Sequence, residues 1–163
     1  MRNKTVEDIT LFALLIAVYV AITVSLSPIT YGLIQFRVSE IILLLPFYNK
    51  KFILPSILAV AIANAFSTLN PLADIIVGVL IAIISYTLII KIKNKYIDAL
   101  LYSLLCGLLV GAEIAFFAES EKLYEFYLAL ASITFSQAII CVSGIFLINR
   151  LLKIKYFKER ILD

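Results

Sequence analysis

Long apolar runs make up most of the chain, and short polar segments separate them. Six runs can be drawn, and their spacing is typical of membrane-spanning helices, each of which needs about 20 residues. The second run is too short to span a membrane alone at about 1.5 Å per residue. The predicted spans are residues 9–27, 38–48, 52–66, 71–90, 96–118 and 123–148. The pattern therefore predicts an all-α bundle of six transmembrane helices, forming a single integral membrane domain over residues 1–163.

The composition supports this interpretation and excludes several other classes. Of the residues, 63% are hydrophobic and 15% are charged, whereas soluble domains average about 45–50% apolar and about 25% charged residues. The net charge of +3 is too small to indicate a polyanionic partner such as nucleic acid. We therefore predict a multi-pass protein of the plasma membrane.

The positive residues predict an orientation, because cytoplasmic loops are enriched in lysine and arginine. Twelve of the 14 positive residues lie at the N-terminus, after the second and fourth runs, and at the C-terminus. These are Arg2, Lys4, Lys50, Lys51, Lys91, Lys93, Lys95, Arg150, Lys153, Lys155, Lys158 and Arg160. Their distribution fits six crossings with both termini in the cytoplasm.

With that orientation, the polar residues of the spans fall in the outer half of the membrane. The candidates for ligand binding among them are Gln35, Arg37, Glu40, Asn64, Asp74, Glu113 and Gln137. An ionised side chain at the bilayer centre costs about 2.5–3.5 kcal/mol, so these groups should pair or line a watery pocket. A structural role stays open for some, since Glu40 can pair with Arg37 at i,i+3 and Asp74 suits a helix N-terminus. Their convergence favours an outward-open polar pocket.

Residues 28–37 predict an extended outer segment between the first two helices. Pro28 and Gly32 interrupt this segment, and polar and apolar residues alternate near its end. Irregular backbone near membrane depth is tolerated where it is buried or lines a cavity. The segment is therefore a candidate wall or lid of the pocket, with a plain surface loop as the alternative.

Two stripes of small residues have helical spacing, and such stripes let helices approach closely. They are Ala13, Ala17 and Ala21 on the first helix, and Gly107, Gly111 and Ala115 on the fifth. Internal packing should account for at least one stripe. For the first stripe, docking of another membrane subunit is the alternative.

The chain contains no histidine and no Gly-x-x-x-x-Gly-Lys-Ser/Thr loop. We therefore expect no metal site and no cofactor. Transport against a gradient would need energy from another protein or from an ion gradient.

Four motifs resemble the QueT-type queuosine-precursor transporters, which are substrate-binding subunits (S components) of energy-coupling factor transporters. The motifs are YGLIQFRVSE at 31–40, LLLPF at 43–47, ANAFS at 63–67 and LADIIVG at 72–78. The resemblance implies a six-helix bundle that captures its substrate from outside, with ATP hydrolysed by two separate ATPase subunits. It also implies that the stripe of Ala13, Ala17 and Ala21 docks to a membrane coupling subunit.

The charges of the candidate residues agree with such a substrate. One positive side chain, Arg37, stands against three negative ones, Glu40, Asp74 and Glu113. An anionic pocket repels carboxylate vitamins but suits 7-aminomethyl-7-deazaguanine, a base with an ammonium group and a donor-rich edge. Tyr31 and Phe36 are candidates for stacking on its ring.

Other functions stay open. The chain could bind a different vitamin or nucleobase for the same kind of transporter, or could be a structural membrane protein. A metal-dependent lipid enzyme would be expected to carry clustered carboxylates such as Asp-x-x-Asp, which this sequence lacks. A stand-alone carrier would be expected to need polar groups in both membrane halves.

Overall fold

The structure is a computed structural model that describes residues 4–31, 35–68, 70–119 and 121–162, and every regular element in these ranges is helical. The α-helices are α1 (Lys4–Ser25), α2 (Ser27–Thr30), α3 (Ile53–Asn64), α4 (Pro71–Thr87), α5 (Lys95–Phe117), α6 (Lys122–Leu151) and α7 (Lys155–Leu162). The described ranges also contain 3-10 helices at Val38–Phe47, Lys50–Phe52 and Ile89–Ile92. The all-α prediction is confirmed.

Four helical segments of the described chain are long and apolar enough to cross a membrane: Thr5–Ser25, Pro71–Ile92, Lys95–Phe117 and Lys122–Leu151. They coincide with the first, fourth, fifth and sixth predicted spans. These four helices agree with the prediction of a multi-pass membrane protein, whereas the count of six spans and the orientation stay predictions.

The second and third predicted spans are shorter elements. The 10-residue helix Val38–Phe47 is a 3-10 helix, and at about 2.0 Å per residue it covers roughly 20 Å. Helix α3 has 12 residues and covers roughly 18 Å at about 1.5 Å per residue. Both fall short of a hydrocarbon core of about 30 Å, so neither crosses it alone as a helix perpendicular to the membrane.

The extended segment predicted over residues 28–37 is wrong at its beginning. Residues Ser27–Thr30 form a helical turn, in which the Tyr31 amide donates to the Ser27 carbonyl at 3.2 Å. Pro28 lies in the first turn, where its missing N–H costs nothing and its fixed φ favours a helix. Residues 35–37 are non-helical, as expected, and the part of the prediction at residues 32–34 lies outside the described residues.

The helix Val38–Phe47 lies at the centre of the packing rather than at its edge. Leu43 packs into a cluster with Tyr19 of α1 and Ala59 of α3. The next residue, Leu44, belongs to a second cluster built mainly from α4, α5 and α6. Because both clusters meet on this short helix, the polar residues at its N-terminal end are carried into the interior.

The two small-residue stripes have different surroundings. Gly107 and Gly111 are buried against α6, and a Cβ on Gly111 would lie 3.3 Å from the backbone nitrogen of Leu130. Internal packing therefore accounts for this stripe. The stripe of Ala13, Ala17 and Ala21 is exposed along α1, so it does not pack inside the described bundle.

Helix α7 was not predicted from the sequence, because it is short and strongly charged. It folds back onto the beginning of α1, where Arg160 Nη1 lies 2.7 Å from Glu7 Oε2. The side chain of Ile161 is buried in the cluster that contains Leu15 of α1. Between α1, α7 and the Val38–Phe47 helix runs an apolar groove of about 570 Å³.

Candidate functional site

Six of the nine predicted ligand-binding residues line one cavity. They come from six parts of the chain: the residue preceding the Val38–Phe47 helix, that helix itself, the end of α3, the first turn of α4, helix α5 and helix α6. The six are Arg37, Glu40, Asn64, Asp74, Glu113 and Gln137. The structure therefore brings together residues separated by up to 100 positions in sequence.

An ion pair between Arg37 and Glu40 forms part of the cavity lining. Arg37 Nη1 lies 3.7 Å from Glu40 Oε1, and both side chains are buried. Tyr19 of α1 donates a hydrogen bond to Glu40 Oε1 at 3.2 Å, and Tyr102 of α5 donates to Oε2. Because both carboxylate oxygens have partners within the protein, Glu40 is held in place as the counter-ion of Arg37.

Asn64 connects this ion pair to α4. Its Oδ1 accepts a hydrogen bond from Arg37 Nη1 at 3.3 Å, and its Nδ2 donates to the backbone carbonyl of Asp74 at 2.7 Å. The close approach depends on Gly78, where a Cβ would collide with Asn64 Nδ2 and lie 2.8 Å from Val60 Cγ1. Asn64 is thus fixed at both ends of its amide.

The cavity also contains buried hydrogen-bond acceptors without a partner among the described residues. Asp74 Oδ2, both carboxylate oxygens of Glu113 and Gln137 Oε1 are buried, and they have no hydrogen-bond partner in the part of the chain that the structure describes. Arg37 Nε is a buried donor that also has no hydrogen-bond partner among the described residues. A buried polar group without a partner costs about 1–3 kcal/mol, so a cluster of them in one cavity indicates a site for a ligand.

The charge and size of the cavity narrow what it can hold. Arg37 and Glu40 neutralise each other, so Asp74 and Glu113 give the remaining lining a negative charge when ionised. The free volume is about 20 Å³, which is room for about one water molecule, whereas sites for small organic ligands measure about 300–1,000 Å³. A base-sized ligand therefore requires the lining elements to move apart.

Three of the predicted site residues do not line the cavity. The hydroxyl of Tyr31 donates to the carbonyl of Ala63 at 2.6 Å, and its ring lies 5.3 Å from the guanidinium carbon of Arg37. Gln35 is buried, and its carbonyl accepts from Ser136 Oγ at 2.9 Å. Phe36 is exposed. Tyr31 thus touches the site through Arg37, whereas stacking of Tyr31 or Phe36 on a ligand stays a prediction.

Sequence reasoning missed Tyr19, Tyr102 and Gly78 as parts of the site. A tyrosine inside an apolar span could have indicated a contact with the site. A buried phenol needs a hydrogen-bond partner, and the carboxylates of the other spans are suitable acceptors. Gly78 gave no such signal, since only the position of Asn64 shows why a side chain cannot fit there.

Metal binding has no visible basis in the part of the chain that is described. Its cysteine, aspartate and glutamate residues form no group of three that could hold a metal ion. The two cysteines, Cys106 and Cys141, are buried and unpaired with each other.

Comparisons with known proteins agree with the motifs found in the sequence. The sequence model of a family described as "QueT transporter" matches residues 9–153. A protein named "Queuosine precursor transporter QueT" from Lactococcus lactis subsp. cremoris (strain MG1363) is 35% identical over 98 residues, covering 59% of this chain. The match spans 57% of that relative's length. No solved structure matches the chain significantly.

Proposed function

The chain belongs to the QueT transporter family, and we propose that it is the substrate-binding subunit of an energy-coupling factor importer for a queuosine precursor. Membership of a transporter family, together with several helices able to cross a membrane, makes the chain a multi-pass membrane transporter protein and not an enzyme. We propose the substrate, the partner subunits and the direction of transport from the features of the site.

The observation that carries the substrate assignment is the set of unused buried acceptors in the cavity. Asp74, Glu113 and Gln137 together present four acceptor atoms without partners among the described residues. A ligand that satisfies them must bring several hydrogen-bond donors. The base 7-aminomethyl-7-deazaguanine offers a ring N–H, an exocyclic amine and an ammonium group, and its carbonyl can accept from Arg37.

The contacts divide the candidate residues into two roles. Asp74, Glu113 and Gln137 face the ligand with free acceptors, and Arg37 faces it with a free donor. Glu40 and Asn64 hold Arg37 in position, since their polar atoms are already bonded within the protein. Carboxylate ligands such as biotin or folate fit this site poorly, because Asp74 and Glu113 would repel them.

Energy for uptake is proposed to come from partner subunits, namely a membrane coupling subunit and two ATPases. The chain has no phosphate-binding loop of its own. The exposed stripe of Ala13, Ala17 and Ala21 on α1 supports docking of the coupling subunit, because small exposed residues let a second helix approach closely. A stand-alone carrier is disfavoured by the concentration of free polar groups in one cavity.

The substrate assignment is tested with the purified chain in detergent. Native mass spectrometry should detect a retained 7-substituted deazaguanine, and titration should show binding of 7-aminomethyl-7-deazaguanine. Neither the base nor added ATP should be chemically changed. A modified base would support an enzyme instead, and binding of a carboxylate vitamin in preference to the base would contradict the assignment.

The docking surface is tested with one substitution and a matched control. Ala17→Leu on α1 should abolish uptake by cells that also produce the coupling and ATPase subunits, yet leave binding by the isolated chain unchanged. Ala131→Leu, at an equally exposed position on α6, should leave both unchanged. Loss of binding in Ala17→Leu equal to the loss of uptake would show that the stripe supports folding rather than docking.

A further inference from the structure

The guanidinium of Arg37 is held in one orientation by three contacts. Its Nη1 lies 3.3 Å from Asn64 Oδ1 and 3.7 Å from Glu40 Oε1, and its carbon lies 5.3 Å from the centre of the Tyr31 ring. A guanidinium is a planar fork whose N–H directions are fixed once the plane is fixed. The direction of the free Nε–H is therefore determined by residues that the ligand does not need to touch.

Each of these holding residues is itself held. The two tyrosine hydroxyls on Glu40 prevent its carboxylate from turning away. Asn64 is bonded to the Asp74 carbonyl on α4, and it can sit there only because Gly78 has no side chain. A chain of contacts thus runs from Gly78 through Asn64 to Arg37.

The held donor shares the cavity with free acceptors. Arg37 lines the same cavity as Asp74, Glu113 and Gln137, and each of these three has at least one buried acceptor atom without a partner in the described ranges. One donor beside several acceptors complements a ligand edge with a carbonyl oxygen next to an N–H group. The 6-oxo and N1–H groups of a guanine-type base form such an edge, whereas a 6-amino base presents a donor and a bare ring nitrogen in their place.

We propose that this cavity selects 6-oxo over 6-amino bases through Arg37, and that Asn64 and Gly78 are positioning residues for that selection. The proposal rests on the proposed function, because it names the feature of the base that the same site recognises. A site built around buried hydrogen-bonding groups rejects an analogue that leaves those groups unpaired. The 6-amino analogue would place its amine against the Arg37 donor and its ring nitrogen against a carboxylate.

The test compares two ligands that differ only at this edge: 7-aminomethyl-7-deazaguanine and its 6-amino analogue, which keeps the 2-amino and 7-aminomethyl groups. Dissociation constants are measured by titration of the purified full chain. The wild type should prefer the 6-oxo base by about 100-fold or more, equivalent to about 2.8 kcal/mol at 1.4 kcal/mol per tenfold change. Equal binding of both bases overturns this inference, whereas binding of neither overturns the proposed function.

Three variants test how the selection is achieved. Arg37→Lys keeps the charge but lacks the Nε–H, and Asn64→Ala removes one holding contact without adding bulk. Gly78→Ala pushes Asn64 from its place. Each should lower the preference for the 6-oxo base to below about 10-fold. A preference that stays near 100-fold in Asn64→Ala and Gly78→Ala would overturn their positioning role.

Gly144→Ala is the matched control for overpacking. Its new Cβ would lie 2.8 Å from Leu44 Cδ1 and 3.0 Å from Ile41 Cγ1, so it crowds the interior as Gly78→Ala does, but without touching Asn64 or Arg37. Thermal unfolding should show a loss of stability in both glycine variants, whereas the preference between the two bases should change only in Gly78→Ala. An equal fall in the preference for Gly144→Ala would show that general loosening of the fold, and not the position of Arg37, sets the selectivity.

Discussion

Two carboxylates of the cavity are expected to respond in opposite directions to the same chemical change. Replacing a glutamate by glutamine removes the negative charge and keeps the shape of the side chain. At Glu40 the replaced group has partners on both oxygens, whereas at Glu113 neither oxygen has a partner among the described residues. Measuring the stability and the ligand affinity of these two variants therefore distinguishes a group that holds Arg37 in place from a group that faces the ligand.

The magnitudes follow from the contacts. Glu40→Gln leaves Arg37 as a buried charge without its counter-ion, and removing one partner of a buried ion pair costs about 3–5 kcal/mol of stability. Glu113→Gln removes a carboxyl group whose two buried oxygens have no partner among the described residues, so the free energy of unfolding without ligand should stay the same or rise. Its ligand affinity should fall, because a lost charged hydrogen bond costs about 2–5 kcal/mol, which is about 30-fold or more.

The assay is thermal unfolding of each purified variant in the same detergent and at the same pH, with and without 7-aminomethyl-7-deazaguanine, together with titration of the ligand. Tyr102→Phe serves as a second probe of the holding group, since it removes one hydrogen bond to Glu40 and keeps the ring. It should lower stability by less than Glu40→Gln does. If Glu113→Gln unfolds as easily as Glu40→Gln, or binds the ligand with wild-type affinity, the division of roles is refuted.

Two further predictions concern packing and the C-terminal helix. Gly107→Ala should lower the free energy of unfolding by about 1–3 kcal/mol, because the new Cβ would overlap Thr134 of α6. Gly111→Ala should lower it less, because the nearest atom to its Cβ would be 3.3 Å away. Equal unfolding temperatures for the two variants would contradict this prediction. Arg160→Gln should break the ion pair between α7 and Glu7. The free energy of unfolding should fall by at most about 1 kcal/mol, since the pair is partly exposed. Hydrogen exchange of Lys155–Leu162 should become faster, whereas ligand affinity should stay constant.

Hydropathy predicted the long helices well because their signal is local. Each of the four helices able to cross a membrane lies within a few residues of its predicted bounds, for example α5 at Lys95–Phe117 against 96–118. The helix Val38–Phe47 was identified as too short to span, but its 3-10 geometry and central position were not foreseen. Those properties depend on which helices surround it, and a single stretch of sequence does not contain that information.

Six of the nine predicted site residues line one cavity, and the i,i+3 pair of Arg37 and Glu40 that the spacing allowed is present, but the other hydrogen bonds of the cavity were not predicted. Depth along the spans was enough to group Asp74, Glu113 and Gln137, since polar side chains in an apolar solvent must converge. Depth could not reveal that Glu40 is bonded on both oxygens while Glu113 is bonded on neither. This difference depends on how the helices pack against one another. It changes the expected effect of a glutamate-to-glutamine substitution on stability from a loss to no change or a gain.

The unpaired acceptors also make the closed cavity energetically costly. Asp74 Oδ2 and both oxygens of Glu113 line about 20 Å³ of free space without a donor among the described residues. The closed arrangement is therefore costly unless something supplies positive charge and hydrogen-bond donors. Under the proposed function, a donor-rich cationic base would supply both, and its binding free energy would include the relief of that cost. An apolar or anionic ligand of the same size would have to open the same cavity without this compensation. Under the proposed function, the site would discriminate through its unpaired acceptors, because Asp74 Oδ2 and both oxygens of Glu113 have no hydrogen-bond partner among the described residues.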